Sequence, residues 1–419
     1  MISNAFTHAA LLASLFSSAN GSPFPLATRN DGVTVLDVFV PPTRNDDKFY
    51  NVNVTFNGQV VPVMLDTGSG DLFVASDKCP TDNPQDGCFG LTSPYIIKPN
   101  DTILLNESFF TIVGEGAVYG NQSLLRTDFG AGLSIPDLAI GLVYESALRE
   151  FQNDSFSGIF GLNMRAVSRQ LHFNKRLPPI DRLLEAGKLK EPKFSLTFPR
   201  LGDPDSAEVG KLTLGGLGEE AAGHNITYGP VYSTPNYNYD DFPLDRQGWT
   251  VHLEGIRVNG VVIELRPGLL LPDGKYLSMI DSGGSLMYFR PEELDAIAAQ
   301  FKGPILYPGN RDIYFDCSIP QLIELNYFGV WYAVDPLDLV IPNDHGLVNG
   351  TEYCHAALGQ WTRTFGDSII GLPFLRSVFS VYDYISSDLV PQPRVGFAGL
   401  VDGAAAVARY SDVLPSRLS

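Results

Sequence analysis

A duplicated signature constrains this chain more than any other feature. Met64-Leu65-Asp66-Thr67-Gly68-Ser69 returns as Met279-Ile280-Asp281-Ser282-Gly283-Gly284. Each copy is followed by a second signature. These are Ser157-Gly158-Ile159-Phe160-Gly161-Leu162 and Asp367-Ser368-Ile369-Ile370-Gly371-Leu372. The stretch from Asp281 to Gly371 is nearly as long as that from Asp66 to Gly161. Two signatures in one order at one spacing mark two similar lobes.

Within the lobes the local pattern is that of strands. Residues 50–56 alternate, Asn57-Gly58 turns the chain and residues 59–65 return, as in a hairpin. Residues 249–258, Asn259-Gly260 and residues 261–265 repeat the device, and residues 33–40 also read as a strand. Helical pattern is sparse, at residues 180–186 and 291–301, the second opening on Pro291. This balance predicts a mainly β fold. The loop at residues 199–208 is the expected junction between lobes.

Each first signature is an apolar strand ending in Asp, a hydroxyl residue and Gly. Glycine permits a tight turn and close approach of a partner. The hydroxyl can hydrogen-bond backbone across a lobe interface. Two such turns face to face put two carboxylates together, and like charges that close share one proton. One group then serves as general base and the other as general acid. A water between them attacks a carbonyl without metal, cofactor or covalent intermediate.

From about residue 50 to 398 the chain resembles the pepsin-like aspartic proteases, family A1, of secreted type. The resemblance rests on Asp66-Thr67-Gly68-Ser69, Asp281-Ser282-Gly283, the segments ending at Gly161 and Gly371, residues 249–260, and Val395-Gly396-Phe397-Ala398. It implies an all-β, bilobal pepsin-like fold, with two related β-barrel-like lobes and an active-site cleft between them. It also implies endopeptidase activity on extended polypeptides. Asp66 and Asp281 are the expected catalytic pair, supported by Thr67, Gly68, Ser69, Ser282 and Gly283. The expected flap carries Val113, Gly114 and Gly116. Four cysteines allow three pairings. Local pairing, Cys79 with Cys88 and Cys317 with Cys354, is the economical one, and it falls where the family commonly has disulfides.

Composition and termini bear on compartment. Lys plus Arg is 29 against 47 for Asp plus Glu, a formal charge of −18, so nothing neutralises a nucleic acid's phosphates or suits an anionic membrane. Apolar residues at 44% support a core and exclude disorder. An apolar stretch at residues 9–16 precedes Ser17, Ser18 and Ala19, the pattern of a secretory signal, and no later run is long enough to span a membrane. Sequons at Asn53, Asn100, Asn106, Asn121, Asn153, Asn225 and Asn349 agree with secretion. The expected organisation is a signal peptide (1–21), a short N-terminal segment as candidate propeptide remnant (22–45), an N-terminal catalytic lobe (46–205), a C-terminal catalytic lobe (206–402) and a tail (403–419). The expected product is a secreted, extracellular monomer, with a vacuolar or lysosome-like compartment as the alternative.

The chain departs from the family pattern in four places. Val113 stands where the flap usually has Tyr, with Tyr119 six residues on as a candidate substitute. Gly284 replaces a hydroxyl residue, Leu372 replaces an Asp, and the span before the first hairpin is short for a prosegment. These departures raise an alternative, a weak or inactive relative that uses its cleft for binding. Asp281-Ser282-Gly283-Gly284 also resembles the trypsin-type nucleophile turn, but no histidine has the context of a partner base. A two-carboxylate glycosidase is a further rival, although a symmetric repeat gives no reason for asymmetric roles. Asp71 and Asp367 read as surface turn residues, and residues 237–241 as a solvated loop.

Overall fold

The computed structural model describes residues 28–30, 32–42, 46–83, 85–114, 116–148, 151, 155–235, 245–307, 312–362, 366–384 and 392–418. The signal stretch 1–21, Asn153 and the loop 237–241 lie outside the described residues.

The architecture is all-β. In the N-terminal lobe, seven strands lie side by side in the order Asn51–Phe56, Gln59–Asp66, Gly158–Gly161, Leu72–Ala75, Ser134–Ser146, Gly116–Asp128 and Ile103–Val113. The C-terminal lobe repeats the centre of that arrangement in a five-stranded sheet. Its order is Thr250–His252, Leu277–Ile280, Ser368–Ile370, Met287–Phe289 and Leu358–Gln360. In both lobes the strand leading to the Asp runs parallel to the strand of the second signature. A third strand then pairs antiparallel with the latter. The duplicated sequence is thus a duplicated topology.

A seven-stranded sheet joins the lobes. Val33–Val38, Lys193–Thr197 and Gly210–Leu214 pair there with Val378–Asp383 and Arg394–Gly399. Val33–Val38 lies between two neighbours and buries Leu36 and Val38, so this part of the N-terminal segment is built into the body of the fold. Beneath the lobe boundary Phe194 stacks on Tyr382 at 4.6 Å, and Trp249 meets Tyr382 edge-on at 5.2 Å. The buried Trp249 donates its Nε1–H to Leu162 O at 3.0 Å, and Tyr384 Oη donates to the same carbonyl. The linking of C-lobe rings to the N-lobe signature fixes one lobe against the other.

The expected hairpins form at Asn51–Phe56/Gln59–Asp66 and Gly255–Val258/Val261–Ile263. Asn57, Gly58, Asn259 and Gly260 all have positive φ, as a two-residue turn between twisted strands requires. The two helical patterns become Pro179–Glu185 and Pro291–Ala298. The loop 199–208 is irregular as expected, yet Arg200 and Asp203 within it are buried. Residues 403–418, read as a tail, form the helix Gly403–Leu418, which buries Tyr410, Val413, Leu414 and Arg417.

Both local disulfides are present, Cys79–Cys88 and Cys317–Cys354. Asn100, Asn106, Asn121, Asn225 and Asn349 are exposed. Asn53 is a correction. It lies inside Asn51–Phe56 with both amide atoms enclosed and unpartnered. The enclosed nitrogen leaves no room for a glycan in this side-chain position, so this sequon does not fit a glycosylated native fold.

Candidate active site

Gln59–Asp66 delivers Asp66 opposite Gly161, and Leu277–Ile280 delivers Asp281 just past its end. The second-signature glycines are there for space. A Cβ on Gly161 would lie 2.5 Å from the Asp71 nitrogen, and one on Gly371 would collide with the Gly284 carbonyl.

The two turns interlock with near two-fold symmetry. Thr67 N–H donates to Ser282 Oγ at 3.0 Å, and Ser282 N–H donates to Thr67 Oγ1 at 2.9 Å. Each hydroxyl then donates across the boundary, Thr67 to Ile280 O and Ser282 to Leu65 O, both at 2.9 Å. Both side chains are buried, so these bonds exchange no strength with water. The next residues, Gly68 and Gly283, allow the carboxyls to meet. A Cβ on Gly68 would sit 2.6 Å from Asp281 Oδ1, and one on Gly283 would sit 2.7 Å from Asp66 Oδ1.

Gly68 N–H donates to Asp66 Oδ1 at 2.7 Å, and Gly283 N–H donates to Asp281 Oδ1 at 2.8 Å. The symmetry stops there. Ser69 Oγ donates to Asp66 Oδ2 at 2.5 Å, whereas Gly284, at the matching position beside Asp281, has no hydroxyl and donates its N–H to the Asp281 backbone carbonyl at 3.1 Å. The two carboxyls face each other across the Gly68 and Gly283 turns. Burial first, and the Asp66 charge second, push Asp281 far above the ordinary carboxylate range. Like charges this close share one proton.

The pair lies on the floor of a cleft of about 780 Å³ walled by both lobes. Phe49, Met64 and Phe156 line one side, and Met279, Tyr288 and Trp361 the other.

The sequence profile of the family described as eukaryotic aspartyl protease matches residues 48–399. The chain belongs to that family. It is similar to napsin-A of Homo sapiens, with 29% identity over 86% of this chain and 80% of the relative. It is similar to a vacuolar aspartic protease of Candida albicans, with 27% identity over 81% and 73%. It is also similar to cathepsin D of Dictyostelium discoideum, with 24% identity over 90% and 89%. Its activity is that of an aspartic-type endopeptidase, which acts on polypeptides. Among the described residues no helix is long and apolar enough to cross a membrane.

In this aspartyl protease the hairpin expected to be the flap carries Val113 at the position where Tyr is expected. Ile103–Val113 and Gly116–Asp128 form the hairpin, with Val113 opposite Gly116; Glu115 lies outside the described residues. Val113 and Gly114 line the cleft, and Val113 packs against the cluster containing Met64 and Phe156. Tyr119 does not substitute for the missing phenol. It is exposed, its ring lies 4.9 Å from Phe110, and it does not line the cleft.

Asp71 and Asp367 are corrections, since both are buried rather than at the surface. Asp71 accepts from Ser168 Oγ at 2.5 Å and Arg169 N–H at 2.9 Å, and burial raises it to about 6 against these donors. Asp367 accepts from the Leu277 and Leu269 N–H groups, both at 2.9 Å, which pins the strand leading to Asp281. Turn backbones beside a dyad carry donors without ladder partners, and a buried carboxylate satisfies several at once.

The rivals lose their geometry. Ser282 Oγ is committed to Leu65 O and buried, so it is no nucleophile. The two carboxyls stand on equivalent, interlocked turns, without the distinct acid and base positions of a glycosidase. Cys79, Asp86 and Cys88 lie together, but both sulfurs are in the disulfide. Phe49, Tyr288 and Trp361 were not anticipated as cleft residues. They come from an irregular segment, the middle of a three-residue strand and the residue after another strand, and no local pattern marks them.

Proposed function

We propose that Asp66 and Asp281 act as one general acid–base unit that hydrolyses peptide bonds at acid pH. The observation that carries this is two facing carboxyls, on turns locked to each other through Thr67 and Ser282, at the floor of a cleft shared by both lobes. The Asp66 carboxylate takes a proton from a water placed between the pair. The resulting hydroxide attacks the carbonyl carbon, and the Asp281 carboxyl gives its proton to the carbonyl oxygen. Collapse of the tetrahedral intermediate returns a proton to the leaving nitrogen. Thr67, Ser282 and the glycines hold the geometry. Both aspartates and the Thr67–Ser282 interlock are present, which favours catalysis over a cleft used for binding alone.

Secretion or delivery to a vacuole-like compartment is part of the same proposal. Two disulfides and five exposed sequons support it, and a monomer is the proposed state. The test is digestion of a denatured protein across pH, with and without a statine-type inhibitor. Acid-favoured, inhibitor-sensitive cleavage is expected; cleavage confined to neutral pH and indifferent to the inhibitor would contradict it.

A further inference from the structure

As a peptide-binding groove, the reading on which this inference rests, the cleft needs walls held in place. One wall of it, residues 46–50, belongs to no strand or helix. Lys48 and Phe49 line the cleft there, and the Phe49 ring meets Phe156 edge-on at 5.4 Å. A segment outside the ladders needs other fixed points. One is Tyr50, whose hydroxyl donates to the Pro199 carbonyl. The other is Asp47, two residues before Phe49, whose side chain is 2% exposed.

The grip on Asp47 comes largely from the far end of the chain. Arg417, in the helix Gly403–Leu418, holds the carboxylate with both arms, Nη1 to Oδ2 at 2.5 Å and Nη2 to Oδ1 at 2.9 Å. Arg417 Nη1 also donates to Leu201 O at 2.9 Å, and Nε to Leu337 O at 3.2 Å, so the guanidinium is itself locked. Arg376 Nη1 adds a bond to the Asp47 carbonyl at 2.9 Å. The helix lies beyond the part of the chain that matches the family, which ends at residue 399.

The helix has a second attachment that does not touch this segment. Arg409 donates to Asp203 at 2.8 and 2.9 Å and to Asp335 at 2.6 Å. The two attachments differ in one respect: only Arg417 reaches a residue adjoining the cleft wall.

We infer that Arg417 is a positioning residue for substrate binding, fixing the Lys48–Phe49 wall of the cleft through Asp47. A two-armed contact is geometrically specific in a way a single ammonium contact is not. Loss of Arg417 leaves the Asp47 carboxylate with the Leu201 N–H at 3.3 Å and with Arg376, which is shared with Asp338 at 2.6 Å. The wall then shifts while the dyad, held by its own interlobe bonds, stays in place.

The test compares full-length Arg417→Gln, Arg417→Lys and Arg409→Gln on a peptide substrate at a temperature where all are folded. Arg417→Gln is expected to raise KM about tenfold with kcat retained, within what a small misplacement of a binding group costs. Arg409→Gln is expected to lower thermal stability and leave KM unchanged. In a Phe49→Ala background, Arg417→Gln should add nothing further to KM. If Arg417→Gln does not fold, Arg417→Lys carries the same prediction with a smaller rise, about threefold. An unchanged KM in the Arg417 variants, or an equal rise in Arg409→Gln, overturns the inference while wild-type cleavage leaves the protease assignment intact. A wild type that cleaves nothing overturns the assignment itself.

Discussion

Gly284 leaves Asp281 without a hydroxyl donor, whereas Ser69 gives Asp66 one at 2.5 Å. Hydroxyl donation favours the charged carboxylate and lowers its pKa. Gly284→Ser is therefore expected to move the high-pH limb of kcat/KM downward. A Cβ at residue 284 would lie 3.3 Å from Asp281 O and 3.5 Å from Ile369 Cγ2, close enough to need only small adjustments. An unmoved limb would show that Gly284 does not set the asymmetry. Asp71 makes a second residue-scale prediction. Burial raises it to about 6, so the folded state binds its proton more tightly than the unfolded chain. That contribution is present below the ordinary value of about 4 and lost as pH rises to about 6, at most about 3 kcal/mol. Melting temperatures at pH 4 and 6 should differ less in Asp71→Asn than in wild type. The dyad was legible because its two copies explain each other. Asp71 and Asp367 were not, because their burial depends on turns brought together from distant parts of the chain.

At the scale of elements, the flap and the sequons carry predictions. Val113 supplies apolar packing where a phenol would add a positioning hydrogen bond. Val113→Tyr is expected to raise kcat/KM roughly tenfold or more, since one such bond is worth about 1–3 kcal/mol; an unchanged or lower value would show that this flap closes without one. Asn53→Gln should leave the electrophoretic mobility of the glycosylated protein unchanged, because the Asn53 amide is enclosed. Removing Asn100 or Asn106, both exposed, should increase mobility. The hairpins were legible because Asn57-Gly58 and Asn259-Gly260 each set turn and register together. The helix Gly403–Leu418 was not. Its buried face includes Arg417, so the usual apolar stripe is broken by a charge whose partner, Asp47, sits at the other end of the chain.

For the whole molecule, the duplication made two lobes legible, but not what joins them. The interlobe sheet interleaves strands from both ends of the chain, and beside it lies a buried network of alternating charge. Burial alone would raise Asp338 and Asp47. Arg200 and Arg376 outweigh it for Asp338, and Arg376 and Arg417 for Asp47, holding both below the ordinary range. Their contribution is complete above the ordinary aspartate value of about 4 and declines only as pH falls below it toward their depressed values. The junction thus stays charged where an acid protease works, while the dyad between the lobes keeps its shared proton. The direct measurement is kcat on a peptide for wild type, Asp66→Asn, Asp281→Asn and the double variant. If the two carboxyls are one catalytic unit, either single substitution removes nearly all turnover, and the double variant is scarcely worse than either single one. A single variant that keeps most of its activity, or losses that multiply, would contradict the shared-proton dyad.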